Sequence, residues 1–168
     1  MTIGQKIITL TRYKSWANNL TFSSVSDLPE GEAVKPRMTR FGNMIHTLNH
    51  VYVIDDIFKA HLSAVPHSYQ SRNTDTHPPL DVLWEKQKAM DLWYQEYASS
   101  LSESDCSEIV RFEFVGGGEG AMSRADILLH VVNHGTYHRG FVGNMMYQAA
   151  ATLPGNDFPV YLREQENA

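Results

Sequence analysis

The sequence predicts an all-α protein: an up-down four-helix bundle with a long connection after the second helix and a small β-hairpin or extended flap before the fourth. Three observations predict it. Four long segments repeat apolar residues at three- and four-residue steps, the signature of one helix face. Proline and glycine clusters separate those segments. Only one short stretch alternates as a strand does. Long helices with short or moderate connections favour an up-down bundle, with crossovers admissible. The 168 residues are expected to form one domain, 1–168, large enough to bury a core.

The first helix is expected from Ile3 to Leu28. Leu10, Tyr13, Ala17 and Leu20 follow one stripe with Trp16 beside them, and Pro29 and Gly31 end it. The second is expected from Arg40 to Leu62. One stripe holds Met44, Leu48, Val51 and Phe58, and another holds His46, His50, Val53 and Ile57. A helix apolar on two faces lies between neighbours. Residues Ser63 to Pro79 hold three prolines and no periodic pattern, so they read as the longest connection, crossing one end of the bundle.

The third helix is expected from Leu80 to Leu101, with Leu83, Met90, Tyr94, Tyr97 and Leu101 on one face. Trp84 and Trp93 read as packing residues. Arg111 to Val115 then alternates, and the glycine-rich run Gly116 to Gly120 turns the chain into a flap. The last helix begins near Ser123, where Asp126 completes a variant of the capping box. It runs to about Ala151 and stops before Pro154 and Gly155.

Composition narrows the function. The net charge is −5 and no Lys/Arg cluster is present, which argues against nucleic acid as a partner. Cys106 is the single cysteine, so no internal disulfide forms, as suits a reducing cytoplasm. The N-terminus lacks the pattern of a signal peptide, and no run approaches the ~18 apolar residues of a membrane span. The expectation is a cytoplasmic protein that has no membrane partner.

Five of the eight histidines fall in two clusters, His46/His50 on the second helix and His130/His134/His138 on the fourth. His61, His67 and His77 read as solvated surface residues. Ile127, His130, His134, His138, Phe141 and Met145 recur at steps of three and four, so the histidines lie on the inward stripe. Buried one by one, each imidazole would require its own partners. A shared cation explains the clustering better. Geometry limits that site. Residues four apart differ by ~6 Å of rise, so both rings reach one ion, whereas His130 and His138 are ~12 Å apart. The fourth helix therefore gives either His130/His134 or His134/His138. A facing helix must add His46 or His50. Three imidazoles leave open positions, which favour catalysis or ligand exchange over a structural metal.

Leu48-Asn49-His50-Val51-Tyr52-Val53-Ile54-Asp55 resembles the first ligand segment of the DinB-like (damage-inducible, YfiT-type) bundle family. His130-Val131-Val132-Asn133-His134-Gly135-Thr136-Tyr137-His138-Arg139-Gly140 resembles its second segment. Tyr13-Lys14-Ser15-Trp16-Ala17-Asn18 is similar to its first-helix signature, and Pro159-Val160-Tyr161-Leu162 to its tail. The resemblance implies His50, His134 and His138 as ligands of one divalent transition metal per chain. Nickel or zinc comes first, with iron, manganese, cobalt or copper also admissible. It leaves His46 and His130 as second-layer or pocket residues, together with Arg139. It also implies a homodimer. Phe141 departs from the glutamine that the family often has after Arg-Gly.

The resemblance further implies metal dependence, with thiol S-transferases and isomerases in the wider superfamily. The chemistry is sound, because a thiol bound to a metal is deprotonated and becomes nucleophilic. The leading expectation is a metal-dependent enzyme of thiol-transferase or related type, with a small thiol or other small molecule as partner. The alternatives are a metal-dependent hydrolase and a non-catalytic metal or small-ligand binding protein of a stress response. Asp55, Asp56 and Glu119 are candidate helpers by default, and Arg139 a candidate for an anionic substrate. Cys106 reads as a connector residue, and Gly116 to Gly120 as a turn, since the Gly-Lys-Ser/Thr ending of a phosphate loop is missing. Gly135, Gly140 and Gly143 inside the last helix imply close approach of a neighbour.

Overall fold

The computed structural model describes residues 2–167. Its elements in chain order are α1 (Ile3–Ser26), a 3-10 turn (Glu32–Val34), α2 (Met44–Leu62), α3 (Leu80–Ser100), α4 (Glu103–Cys106), β1 (Ile109–Glu113), β2 (Glu119–Ser123), α5 (Arg124–Gln148) and α6 (Phe158–Glu166). The four long helices form the expected all-α bundle, with one full-length crossover, between α2 and α3, in place of a strict up-down order. Among the described residues, no helix is long and apolar enough to cross a membrane.

Local chemistry sets the helix starts. Thr2 and Gln5 satisfy one another's backbone donors in a capping box before α1. α2 starts four residues later than its apolar stripe suggests. Gly42 takes a left-handed φ of 77°, and the Asn43 side chain caps the helix by accepting from His46 N at 2.7 Å. Arg40 and Phe41 therefore lie outside α2. Ser123 caps α5 through Asp126 N at 3.0 Å. β1 and β2 pair antiparallel from Ile109↔Ser123 to Glu113↔Glu119. The strands start earlier and the turn is tighter than the alternation alone suggests.

Two apolar clusters fix the helix directions. Phe22 at the end of α1, Met44 and Leu48 at the start of α2, Leu83 near the start of α3, and Met145 and Met146 at the end of α5 share one cluster. Ile7, Phe58, Leu62, Ala98 and Ile127, from the opposite ends, share the other. α1 and α5 thus run one way, and α2 and α3 the other. α1 packs on α3 and α5, and α2 packs on α5 and α3, so α1 and α2 sit across the diagonal. The chain between α2 and α3 must return the full length of the bundle. Instead of crossing one end, residues 63–79 run back alongside α2. Tyr69 donates to the Asp56 carboxylate at 2.7 Å, and Asn49 Nδ2 donates to Asn73 Oδ1 at 2.6 Å.

Two small helices escape the periodicity. α4 is a single capped turn. α6 closes over α1: Tyr161 is buried beside Tyr13, and Trp16 Nε1 donates to Glu164 at 3.0 Å. Trp84 stacks on Phe22 with ring centroids 4.6 Å apart, as expected of a packing residue. Gly135 leaves room for a side chain of its own helix, since a Cβ there would meet Arg139 Nη1 at 3.1 Å, while Lys14 of α1 lies at an ordinary 3.6 Å. Gly143 meets Leu153 at ordinary contact distance, and Gly140 has open space beside it.

Between the apolar clusters lies a buried polar layer. Lys14 Nζ, 1% exposed, donates to Asp55 Oδ2 at 2.6 Å and Asp91 Oδ1 at 2.8 Å. Asn18 Nδ2 donates to both oxygens of Asp91, and Gln87 Nε2 to both carboxylates. Arg139 Nη1 donates to Asn18 Oδ1 at 3.0 Å, and its Nη2 to Thr136 Oγ1 at 2.9 Å. Every long helix contributes. Burial pushes the Lys14 ammonium pKa down, but the two carboxylates more than offset this and raise it above its ordinary value.

Removing one partner of such a pair leaves uncompensated charge in the core. Lys14→Met is expected to cost about 3–5 kcal/mol in urea unfolding. Lys88→Met, which breaks the exposed pair with Glu85, is expected to cost under about 1 kcal/mol. Equal losses for the two variants would contradict a structural role for the buried layer.

Candidate metal centre

α2 and α5 are antiparallel neighbours, and their inward histidines meet. His50 lies one turn before Ile54 on α2, and His134 and His138 lie one turn apart on α5. One donor atom from each of the three can be chosen so that all lie within 4.8 Å of one another, and the group could hold a metal ion. His50 Nε2 and His134 Nε2 are 3.1 Å apart. A tetrahedral ion with bonds of ~2.1 Å separates its donors by about 3.4 Å, close to this spacing.

Protons sharpen the argument. His50 Nδ1 lies 2.5 Å from the carbonyl oxygen of Arg72, which can only accept. His50 therefore carries its proton on Nδ1 and points the Nε2 lone pair at His134. The Nδ1 atoms of His134 and His138 are buried without a hydrogen-bond partner. If His134 holds its proton on Nε2, its Nδ1 lone pair is orphaned. If it holds the proton on Nδ1, that donor is orphaned and two lone pairs face each other at 3.1 Å. A cation among the rings removes that second repulsion, so the residues fit a bound metal.

The rings are kept neutral. Burial, then the neighbouring imidazoles, pushes the His134 pKa down to about 2. Burial, then His50 and Arg40, pushes His138 down to about 4. Burial also lowers His50. Neutral imidazoles present lone pairs at any physiological pH.

The three histidines stand at one side of a cavity of about 1040 Å³. Phe41 stacks on His50 with centroids 4.3 Å apart. Ile54, Phe58 and Phe141 line the wall, and Phe114 to Gly117 of the hairpin turn close another side. That turn holds Gly116, Gly117 and Gly118 at φ values of 97°, 95° and 100°, a region that disfavours side chains with Cβ. Among the described residues, no Asp or Glu lines the cavity.

The other expected site residues divide. His130 lines the cavity and packs on Phe58. His46 does not line it; its Nε2 bonds the Thr74 carbonyl at 3.0 Å and ties down the crossover. Arg139 is a correction. It is 2% exposed, lies in the polar layer between Asn18 and Thr136, and does not line the cavity. Asp55 is locked against Lys14, Asp56 accepts from Tyr69, and Glu119 stands exposed in β2, so none of the three helps at the site. His61, expected in solvent, stacks on Phe112 and lines the cavity; His67 and His77 are half-buried. Cys106 is buried and outside the cavity. Arg40, Phe41, Arg72 and Phe114 were not legible as site residues. Gly42-Asn43 is the one signal that could have placed Phe41, by starting α2 later.

Protein DinB of Bacillus subtilis (strain 168) is 26% identical over 163 residues, covering 91% of each chain. The crystal structure of a DinB-like protein from Bacillus cereus ATCC 10987 matches with a TM-score of 0.62 at 16% identity, covering 87% of this chain and 94% of that one. This second likeness bears on the fold alone. The DinB family model matches residues 3–168, nearly the whole sequence. The chain belongs to the DinB family.

Proposed function

We propose that His50, His134 and His138 hold one divalent transition metal, nickel or zinc first, and that the protein is a metal-dependent enzyme acting on a small thiol. One observation carries this reading: three neutral imidazoles, two buried and one half-buried, converge at the side of a large cavity that no described Asp or Glu lines. A divalent ion held there would supply Lewis acidity, lowering the pKa of a thiol or water that reaches its open positions.

The chain's own residues supply the rest. The Arg72 carbonyl holds the His50 ring in its ligating tautomer. Phe41, Ile54 and Phe58 exclude water from one flank. His130, kept neutral by burial, is the neighbouring base able to take up the proton that an incoming thiol loses at sulfur. Hydrolysis is the second reading: His130 could serve water as well as a thiol, but no described residue lining the cavity supplies the carboxylate that hydrolytic metal sites commonly use as a proton shuttle.

Untagged protein is expected to carry about one equivalent of metal per chain, and His134→Ala to retain about a tenth or less, read by elemental analysis. Undiminished metal in that variant would refute the site. Cobalt-substituted protein is expected to develop a thiolate charge-transfer band with small thiols. A silent spectrum, with no turnover of electrophilic thiol acceptors, would make this a non-catalytic binding protein.

The pH dependence has a definite sign. His134 and His138 have folded pKa values of about 2 and about 4, below the ordinary 6.5. The unfolded chain therefore binds more protons as pH falls below 6.5. Metal-free protein is expected to keep full stability from these groups above that value and to lose it progressively from pH 6.5 down to about 4 for His138 and about 2 for His134. Urea midpoints at pH 7 and 5 should fall less for His134→Gln/His138→Gln than for the unaltered protein. Parallel falls would remove the histidines as the cause.

A further inference from the structure

The cavity carries a charge pattern that the histidines do not explain. The chain has a formal net charge of −5, yet the cavity is lined by no acid and by two arginines, Arg40 and Arg72. Both are exposed. Among the described residues neither enters an ion pair, whereas Arg37 and Arg124 are paired with Glu32 and Glu108. Most of the chain's other arginines are also outside ion pairs, so the distinguishing feature is position: these two guanidinium-bearing residues line the cavity and no described Asp or Glu lines it with them.

Each arginine is also fastened to the histidine site. The Arg72 carbonyl holds His50 Nδ1 at 2.5 Å. The Arg40 guanidinium lies 5.7 Å from the centroid of Phe41, and Phe41 stacks on His50. Arg72 thus touches His50 through its backbone, and Arg40 is linked to it through Phe41. A guanidinium offers a planar fork of donors matched to carboxylate and phosphate oxygens. The low-dielectric wall of Phe41, Phe114 and Phe141 strengthens the field at the mouth.

We infer that Arg40 and Arg72 form an oxyanion subsite at the cavity mouth, and that the molecule taken up at the histidines carries a carboxylate or phosphate on a short chain from its metal-binding head. The head rests on the thiol reading above; the anion rests on the arginines alone. The two ends divide the labour. The ion site takes the reactive atom, and the arginines select and orient the molecule that bears it.

The test compares 3-mercaptopropionate with 2-mercaptoethanol on the cobalt-loaded full chain at low ionic strength, following the thiolate band. The unaltered protein is expected to half-saturate with the anionic thiol at about tenfold lower concentration, the effect of one charge-assisted hydrogen bond at a solvent-facing site. Arg40→Gln/Arg72→Gln should bring the ratio of the two half-saturation concentrations close to one, whatever shift the two thiols share. A preference that survives the double substitution arises from the carboxylate touching cobalt and overturns the subsite, as does the absence of any preference. If neither thiol gives a band, the thiol reading fails, and the subsite is decided on metal-free protein. Inorganic phosphate or succinate raising the thermal midpoint of the unaltered chain more than that of the double variant supports it, and the stronger of the two identifies the oxyanion. Equal responses overturn it.

Discussion

A lysine ammonium held inside the bundle between two carboxylates is the constraint on which the remaining geometry depends. Burying these charges is expensive, and the cost is offset only where every partner is in place. The partners come from all four long helices: Lys14 and Asn18 from α1, Asp55 from α2, Gln87 and Asp91 from α3, Thr136 and Arg139 from α5. Sliding α1, α2 or α3 by one turn, ~5.4 Å, breaks several of these bonds at once, and sliding α5 breaks its link from Arg139 to Asn18. Apolar contacts alone would tolerate such a slip far better, since they are not directional. The polar layer therefore sets the register.

That register places the histidines. His50 precedes Asp55 on α2 by five residues, and Thr136 and Arg139 are interleaved with His134 and His138 on α5. The same two helix segments thus present polar atoms to the buried layer on one side and imidazoles to the cavity on the other. Burial makes the lysine pair demanding and, through the same desolvation, keeps His134 and His138 neutral. One low-dielectric interior produces both a rigid frame and a set of lone pairs ready for a cation.

The apolar stripes made the four long helices legible, and the inward histidines made the site's position legible, because both depend on the 3.6-residue repeat. Spacing restricted the ligands on α5 to one of two pairs and left His46 and His50 equivalent. In the structure they separate: His50 faces His134, and His46 bonds the Thr74 carbonyl. The role of Lys14 was not legible, since a lysine on an amphipathic helix ordinarily faces water. Arg139 was misread for the same reason. It is the residue next to His138, but it turns into the core because Asn18 and Thr136 accept from it there. The parallel pairing of α2 and α3 was also hidden, because the prolines of residues 63–79 mark a connection without fixing where it runs.

That connection shows how the site divides between helices and loops. The three candidate ligands lie on helices locked by the buried layer. The mouth is built from connecting segments: Arg40 and Phe41 before α2, Arg72 in the crossover, and Phe114 to Gly117 in the hairpin turn. Only one direct hydrogen bond, from His50 Nδ1 to the Arg72 carbonyl, joins a ligand to a connector, and it uses the backbone. A side-chain change at Arg72 leaves that bond in place, so what the mouth admits can change while the ion site stays intact. Loops also accept substitution more readily than a register-setting core. On the proposed reading, the choice of molecule therefore lies with Arg40, Arg72 and the hairpin turn, and not with the histidines.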